Sequence, residues 1–371
     1  MIISTPFPPE EGIGFYTYNL AKKLKDKGHK VTILTRGSPL KNSEFEFDGL
    51  KVIQTKFIPL YPFHVDLHGI YVKKVLKKLE NDIDLIHIHT PLSPVVTTKI
   101  PIISTIHTSV IEDAKHLELH NMDTLKWKVL TKLSSQRLTQ KLINNSKFVT
   151  TVSSSVAEEL VKYYDIKKAI VIGNGVDENV FLPRKSPPEE FYVLYVARLD
   201  YRKGVLDLIK ASKMLKNSGI NIFVAGDGPL RKHFEKEIRD NELDHVKLLG
   251  HVSGQELVKL YQNAAIFVFP SLYEGLPTVL LEAMSCALPV IASDIPAHRD
   301  LIKNRDNGIL VKPNTPKELV NEILKLKNDE DLRYKLGKNA RKTIEEQFTW
   351  DIITEKLEKL YNNVSKFKES I

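Results

Sequence analysis

Two glutamates eight residues apart follow an apolar stretch in the second half of the chain. Glu274 and Glu282 come after Ile266–Ser271, whose aromatic and β-branched residues predict a strand. Pro277 predicts the start of a helix, with Glu274 in the preceding loop and Glu282 about a turn and a half inside. The free N–H groups of that helix would bind a phosphate, and the carboxylates would accept hydrogen bonds from sugar hydroxyls and a ribose diol. The alternative is a helix with a solvated Glu282, although a charge among apolar neighbours needs a partner.

Two further predicted strands end in turns that could contact a ligand. Arg198 and Lys203 follow Tyr192–Ala197, where two cations could hold a diphosphate and stabilise it as a leaving group. A solvated basic turn is the alternative. Gly226 opens a Gly-Asp-Gly-Pro turn after Asn221–Ala225, which lets backbone approach a ligand closely. Parallel sheets bind ligands at the carboxyl ends of their strands, so these turns are expected to lie at one edge.

The first half offers a glycine loop and a histidine. Gly12 and Gly14 open a predicted helix, but Phe15 and the residues after it exclude the three-glycine dinucleotide fingerprint and argue against an oxidoreductase. The loop could still approach a donor phosphate or an acceptor. His107 ends the predicted strand Ile102–Ile106 and is expected to lie at its ligand-binding end, the alternative being a hydrogen-bonded strand-end histidine.

The remaining histidines do not predict a metal site. His87 and His89 lie in one predicted strand and are expected to point to opposite faces, which argues against joint ligation. His116 and His120 are four residues apart, but Glu118 is misplaced for the metalloprotease pattern.

Short apolar runs alternate with segments of helical period, which is typical of parallel α/β sheets. The predicted strands of the first half are Val31–Thr35, Val52–Gln54, Leu85–His89, Ile102–Ile106 and Phe148–Val152. Those of the second half are Tyr192–Ala197, Asn221–Ala225, Val246–Leu249, Ile266–Phe269, Val290–Ala292 and Ile309–Val311. A helix is predicted over Gly12–Lys27, with Gly28 as its stop, and a proline-rich linker over Phe181–Glu190. We expect an N-terminal domain over 1–183 and a C-terminal domain over 184–349, with the helix from about 350 to 371 packing back onto the first.

Length and composition favour two globular domains. The chain has 371 residues, of which 42% are hydrophobic and 27% charged. Its 54 basic and 46 acidic residues give a formal charge of +8, which is weak support for nucleic acid as a partner. The single cysteine, Cys286, excludes an intramolecular disulfide framework and a multi-cysteine metal site. With no leader pattern at Met1 and no run of about 18 apolar residues, we expect a cytoplasmic location.

Taken together, these motifs resemble the family 4 glycosyltransferases, retaining enzymes of the GT-B fold. The resemblance covers nearly the whole chain and rests on the order and spacing of the motifs more than on any single one. They are Gly12–Leu24, Ile86–Thr90, Thr105–Thr108, Thr151–Ser154, Asn174–Asp177, Val196–Leu199 with Lys203, Gly226–Pro229 and the Glu274/Glu282 pair. One departure is that Gly275 follows Glu274 directly, where the family typically has Glu-x-Phe-Gly, and this weakens the sugar assignment more than the activity.

The resemblance implies an α/β architecture of two doubly wound Rossmann-like domains facing a cleft. It implies metal-independent transfer of a hexosyl unit, with retention, from a nucleoside diphosphate sugar to a glycan or lipid-linked acceptor, with no cofactor beyond the donor. The implied catalytic residues are His107, Arg198, Lys203 and Glu274. The implied donor-binding residues are Gly12, Gly14, Arg198, Lys203, Gly226, Val252, Glu274, Gly275, Leu276, Pro277, Thr278 and Glu282.

The base and the acceptor are less constrained. The loop Gly250–Glu256 would flank the base near Val252 without an obvious carboxylate for guanine, which favours UDP over GDP. Sugar phosphorylase or hydrolase activity on the same fold is the nearest enzymatic alternative, and a non-catalytic nucleotide- or nucleic-acid-binding protein is the alternative from another class.

A lysine-rich helix bears on the acceptor. Tyr71–Leu79 places Val72, Val75, Leu76 and Leu79 on one face and Lys73, Lys74, Lys77 and Lys78 on the other. An ordinary surface helix is one interpretation. The acid-free stretch 124–157, which adds six cations and Trp127, supports the other, peripheral contact with an anionic membrane.

Overall fold

A computed structural model describes residues 1–4, 7–9, 12–60, 63–91, 93–116, 135–184 and 190–368. Within these residues the chain divides into two compact units. The first contains the chain as far as Lys115, residues 135–174 and the C-terminal segment from Trp350, and the second contains Gly175–Thr349.

The strands of the first sheet are β1 Ile2–Ile3, β2 Thr32–Arg36, β3 Ser43–Phe47, β4 Leu50–Thr55, β5 Ile86–Thr90, β6 Ile102–Ile106, β7 Phe148–Thr151 and β8 Ile170–Val171. The strands of the second sheet are β9 Tyr192–Val196, β10 Asn221–Ala225, β11 Val246–Gly250, β12 Ile266–Phe269, β13 Val290–Ser293 and β14 Ile309–Val311. In the described residues the orders are β3-β4-β2-β1-β5-β6-β7-β8 and β11-β10-β9-β12-β13-β14. All neighbours pair in parallel except β3 and β4. This confirms the predicted class of two Rossmann-like α/β domains.

The helices of the first unit are α1 Gly12–Asp26, α2 His64–Lys78, α3 Val110–Lys115, α4 with its described part at residues 135–145, and α5 Ser154–Tyr163. Those of the second are α6 Val205–Met214, α7 Arg231–Asp240, α8 Gly254–Asn263, α9 Thr278–Ser285, α10 Pro296–Arg299, α11 Pro316–Asn328 and α12 Glu330–Gln347. A last helix, α13 Trp350–Lys368, returns to the first unit. Short 3₁₀ turns cover Glu80–Asp82 and Tyr201–Lys203.

The unit boundary lies after Asn174, whereas the sequence predicts it after Pro183. The intervening residues are bonded to the second unit. The Arg341 guanidinium donates hydrogen bonds to the backbone oxygens of Glu178 and Phe181, at 3.1 and 3.0 Å. The proline-rich segment Phe181–Glu190, which predicts a linker, therefore begins when the chain is already part of the second unit.

The helix α13 packs against α1 within the first unit. Lys23 and Lys27 of α1 form ion pairs with Asp351 and Glu358 of α13, at 2.8 and 2.9 Å. Such exposed pairs contribute little each, so they orient the helix more than they stabilise it. The start of α13 is also held by ring packing, since Trp350 lies edge-on to Tyr16 at 5.0 Å between ring centroids.

The predicted strands are found within about two residues of their expected ends, but β3 and the two-residue strand β8 are not among them. The longer of the two, β3, belongs to a hairpin. Its sequence alternates Phe and Glu, and it pairs with β4 through the two-residue loop Asp48–Gly49. Both loop residues have positive φ, 48° and 72°, as a type I′ hairpin requires. An Asp-Gly pair between two segments of alternating polar and apolar residues is a hairpin signal. A prediction based on strands that alternate with helices does not detect it.

The lysine-rich helix α2 buries its apolar face in the first unit. Val72 and Leu76 belong to the hydrophobic core, and Val75 and Leu79 pack against it. Lys73, Lys74, Lys77 and Lys78 are exposed. The apolar face formed by these residues is thus buried in the core, and the four lysines lie on the exposed side of the helix. Within the described residues no helix combines the length and apolar character needed to cross a bilayer.

Candidate active site

The loop after β9 brings a lysine to the end of β12. The Asp200 carboxylate accepts a hydrogen bond from the Lys203 backbone N–H at 3.1 Å and closes the 3₁₀ turn. The next residue, Gly204, has φ of 73°, and a Cβ there would lie 1.9 Å from the backbone oxygen of Pro270. Glycine is required because the two backbones touch. This contact sets the Lys203 side chain beside the loop that follows β12.

Lys203 and Glu274 form a buried ion pair. The Lys203 Nζ lies 2.7 Å from Oε1 and 2.9 Å from Oε2 of Glu274, and the Ser271 hydroxyl donates to Oε1 at 2.6 Å. Burial alone would raise the pKa of Glu274, but the charges of Lys203 and Arg202 and these hydrogen bonds outweigh it, so the pKa is lowered. Glu274 is therefore ionised at neutral pH and is held on both oxygens.

A chain of hydrogen bonds supports Ser271 from behind. The Ser293 hydroxyl donates to the Ser271 backbone oxygen, and His298 Nδ1 lies 2.7 Å from the Ser293 backbone oxygen. His298 is fully buried, and burial lowers its pKa to about 4. It is therefore neutral and donates through Nδ1–H to that carbonyl. Sequence analysis missed all three residues, because none belongs to a motif and their contacts come from separate elements.

Glu282 lies in α9, but the helix begins later than predicted. Pro277 takes an extended conformation, with ψ of 119°, and caps a helix that starts at Thr278. Glu282 is the fifth helical residue, which is close to its predicted position about a turn and a half inside the helix. It is half-buried, and the Tyr261 hydroxyl donates to its Oε2 at 2.8 Å. Burial raises the pKa of Glu282 to about 7 despite this hydrogen bond.

Apart from Gly12 and Gly14, the remaining residues predicted for the donor site are also in the second unit. Arg198 is exposed, its side chain being 69% accessible, and its Nε lies 3.7 Å from Asp200. Gly226, with φ of 139°, packs so closely that a Cβ would lie 1.9 Å from the Ala197 backbone oxygen. This packing on the β9 loop explains the glycine without a ligand. Val252 is half-buried between β11 and α8. In the segment between β12 and α9, Gly275, Leu276 and Pro277 are buried and Thr278 is half-buried.

The first unit contains a cluster of buried histidines. His107 is 7% exposed, and its Nε2 lies 3.1 Å from Nδ1 of His89. The Tyr16 ring packs edge-on against His107 at 4.8 Å. Burial lowers the pKa of His107 to about 3, so its imidazole is neutral. The prediction that His87 and His89 face opposite ways is wrong: their ring centroids are 4.2 Å apart, because strand residues two apart share a face.

The two glycines predicted for the site in the first unit lie at the start of α1. Gly12 and Gly14 form the first turn of α1, where Gly12 is exposed and Gly14 buried. No group of three or more His, Cys, Asp or Glu side chains within the described ranges could hold a metal ion. Glu118, His120 and Trp127 lie outside the described residues, as do three of the six cations of the stretch 124–157, namely Lys126, Lys128 and Lys132.

Two protein-family models match adjacent halves of the chain. The model described as Glycosyltransferase Family 4 matches residues 11–180, and that described as Glycosyl transferases group 1 matches residues 177–343. An uncharacterized glycosyltransferase of Methanocaldococcus jannaschii is 30% identical over 362 residues, which cover 97% of this chain and 96% of that protein. The chain belongs to the family 4, group 1 glycosyltransferases. This confirms the family indicated by the sequence motifs.

Solved structures share the fold of this glycosyltransferase. Sucrose-phosphate synthase from Thermosynechococcus elongatus is similar with a TM-score of 0.81 and 22% identity, covering 98% of each chain. Anabaena HepE, solved in complex with UDP and glucose, is similar with a TM-score of 0.75 and 18% identity, covering 98% of this chain and 99% of that one. These are GT-B proteins, and the glycosyltransferase therefore has the GT-B fold class.

Proposed function

We propose that this glycosyltransferase moves a hexosyl unit, with retention of configuration, from a nucleoside diphosphate sugar to a glycan or lipid-linked acceptor. The observation that carries the proposal is the pairing of Lys203 with Glu274, in the loop that leads into α9, the helix that contains Glu282. These groups offer a cation, two carboxylates and free N–H groups to a ligand that has a diphosphate and two sugars.

Arg198 and Lys203 bind the diphosphate. The Arg198 side chain is exposed, and among the described residues its ion-pair contact is the long one to Asp200, so it can turn toward a phosphate. Lys203 is fixed by its ion pair with Glu274. When the bond to the sugar breaks, negative charge grows on the departing diphosphate, and both cations stabilise it together with the dipole of α9. Because the chain supplies these charges itself, the proposed reaction needs no metal ion.

The two glutamates hold the two sugars of the donor. Glu274 is ionised and accepts hydrogen bonds from hydroxyls of the transferred hexose, while Lys203 bridges it to the diphosphate. Glu282 accepts from the ribose diol. Gly275, Leu276 and Thr278 shape the backbone between them, and the buried Pro277 fixes where the helix N–H groups become available.

The remaining assignments complete the donor and acceptor site. Val252 packs against the base and Gly226 shapes the adjoining turn, with UDP favoured over GDP. HepE, which has this fold, was solved with UDP and glucose. His107 contributes a neutral imidazole beside the reacting sugar, and Gly12 and Gly14 shape the loop over donor and acceptor.

A donor panel tests the proposal. Purified protein is incubated with UDP- and GDP-hexoses and candidate acceptors, and the product's anomeric configuration is determined by NMR. Transfer with retention supports the proposal, and an inverted product contradicts it. Turnover of a glycoside with inorganic phosphate or water, without any nucleotide sugar, would favour a phosphorylase or hydrolase instead.

A further inference from the structure

Tyr261 reaches Glu282 from the neighbouring helix α8. It is fully buried, and its ring packs against Phe267 at 5.6 Å and Phe181 at 5.9 Å between centroids. Its hydroxyl donates to Oε2 of Glu282 at 2.8 Å. A buried hydroxyl needs a partner, and here that partner is a carboxylate of the candidate site.

The hydrogen bond leaves one carboxylate oxygen available. Glu282 is half-buried, and its Oε1 makes no hydrogen bond within the part of the chain that the structure describes. A glutamate side chain otherwise samples several rotamers, and ordering it costs free energy when a ligand binds. With Oε2 held by a rigid, packed ring, that ordering is done before the ligand arrives.

We propose that Tyr261 is a positioning residue for nucleotide binding, which holds Oε2 of Glu282 so that Oε1 is presented to the ribose. The inference rests on the proposed function, in which Glu282 binds the ribose diol. Tyr261 does not itself contact the nucleotide, and it acts only through Glu282. Nothing in the sequence motifs points to it, because it lies 21 residues before Glu282 and in a different helix.

The same contact affects the charge of Glu282. Burial raises the pKa of Glu282 to about 7, and the hydrogen bond from Tyr261 opposes that rise. Among the described residues, two titratable groups face Glu282: Tyr261 from α8, and Cys286 from the C-terminal end of α9. Burial and, to a smaller extent, the Glu282 charge raise the pKa of the Cys286 thiol to about 12, while the charge of Arg341 lowers it. Removing the hydroxyl should raise the pKa of Glu282 further. If the nucleotide binds the ionised form of Glu282, the pH at which its affinity reaches half of its maximum should then rise.

The chain offers a matched control. Tyr192 is also buried, and its hydroxyl donates to the backbone oxygen of Leu260, at 2.7 Å, in the same helix α8. Tyr192→Phe therefore removes a comparable buried hydrogen bond without touching Glu282. Tyr261→Phe keeps the packed ring and removes only the hydroxyl.

The test measures nucleotide affinity by calorimetry from about pH 6 to 9, using whichever of UDP and GDP binds the wild-type protein. We expect Tyr261→Phe to weaken binding roughly fivefold at pH 7 and to move the pH profile upward. Tyr192→Phe should match the wild type. In a double mutant with Glu282→Ala, Tyr261→Phe should add no further loss, because the two act as one unit.

The outcomes separate this inference from the proposal beneath it. If Glu282→Ala leaves nucleotide affinity unchanged, the ribose role of Glu282 fails. If Glu282→Ala weakens binding but Tyr261→Phe behaves like Tyr192→Phe, or keeps the wild-type pH profile, the positioning role of Tyr261 is overturned and the proposed function stands.

Discussion

The two glutamates of one loop and helix are in opposite electrostatic environments. Glu274 is bound by Lys203 on both oxygens, and its pKa is lowered. Glu282 receives one hydrogen bond, from Tyr261, and its pKa is raised to about 7. The two are eight residues apart, yet one is a fixed anion and the other titrates near neutrality. Motif spacing thus predicts where each carboxylate lies but not its charge, which depends on residues from other elements.

This difference suits two tasks in the proposed reaction. A permanently ionised carboxylate paired with a cation can keep its hydrogen bonds while charge moves to the leaving group. A carboxylate with a pKa of about 7, such as Glu282, suits a binding role away from the reacting bond. Protonation there lowers the affinity for the nucleotide but not the rate of sugar transfer. The predictions that follow test whether the two ends of the motif differ in this way.

The largest effect is expected at the cations of the Glu274 end. Lys203→Ala and Arg198→Ala should each reduce kcat by roughly 10²-fold or more, because both stabilise the charge that grows on the diphosphate. Steady-state kinetics with the donor identified by the panel measure this. Lys216→Ala removes an exposed lysine paired with Glu242 at 3.1 Å, and it should leave kcat unchanged.

Treatment with a metal chelator tests whether Arg198 and Lys203 are sufficient to stabilise the diphosphate. If Arg198 and Lys203 replace a metal, EDTA should leave wild-type activity intact. A loss that Mg²⁺ or Mn²⁺ restores would show that the cations of the chain are insufficient.

A second effect separates the two carboxylates. Glu282→Ala should weaken nucleotide affinity, whereas Glu274→Ala should mainly lower kcat, each by about 1.5–3 kcal/mol for a lost charged hydrogen bond. Affinity is measured by calorimetry with the free nucleotide, and kcat at saturating donor. The contrast disappears if both variants change the same parameter.

A smaller effect concerns stability and has opposite signs at the two sites. The Glu274 pKa is lowered, so its stabilisation is present above about pH 4.5 and is lost as the pH falls through the folded-state pKa. The Glu282 pKa is raised to about 7, so the unfolded chain releases that proton first and stability falls as pH rises from about 4.5 to 7. Glu282→Gln should therefore raise Tm at pH 8, and Glu274→Gln should lower it.

Thermal unfolding at pH 8 and pH 5 tests these signs. A change of 1 kcal/mol moves Tm by roughly 2–4 °C in a domain of this size, so shifts of a few degrees are expected. The Glu282→Gln difference should shrink at pH 5, where Glu282 is protonated in the folded protein, whereas the Glu274→Gln difference should persist, because the stabilisation by Glu274 is lost only below about pH 4.5. Tm changes of the same sign in the two variants at pH 8 would contradict the assigned environments.

Parts of this arrangement could be predicted from sequence and parts could not. Apolar runs with β-branched residues locate most strands, because a buried parallel strand has few other compositions. The motifs place Lys203 and Glu274 after neighbouring strands, and the structure brings them into contact. The bond from Tyr261 to Glu282 and the buried neutral His298 depend on how helices and loops pack, which no local pattern encodes.

The last prediction concerns the exposed face of α2, which is distant in sequence from the two glutamates. Lys73, Lys74, Lys77 and Lys78 are exposed, while the apolar face of the helix is in the core. Contact through these lysines is electrostatic and contributes roughly 1 kcal/mol per lysine near an anionic surface. We expect the protein to co-sediment with anionic but not neutral vesicles, to be released by high salt, and to bind less after substitution of these lysines by Glu. Equal recovery with both vesicle types, or none with either, would leave α2 as a solvated face and favour a soluble acceptor.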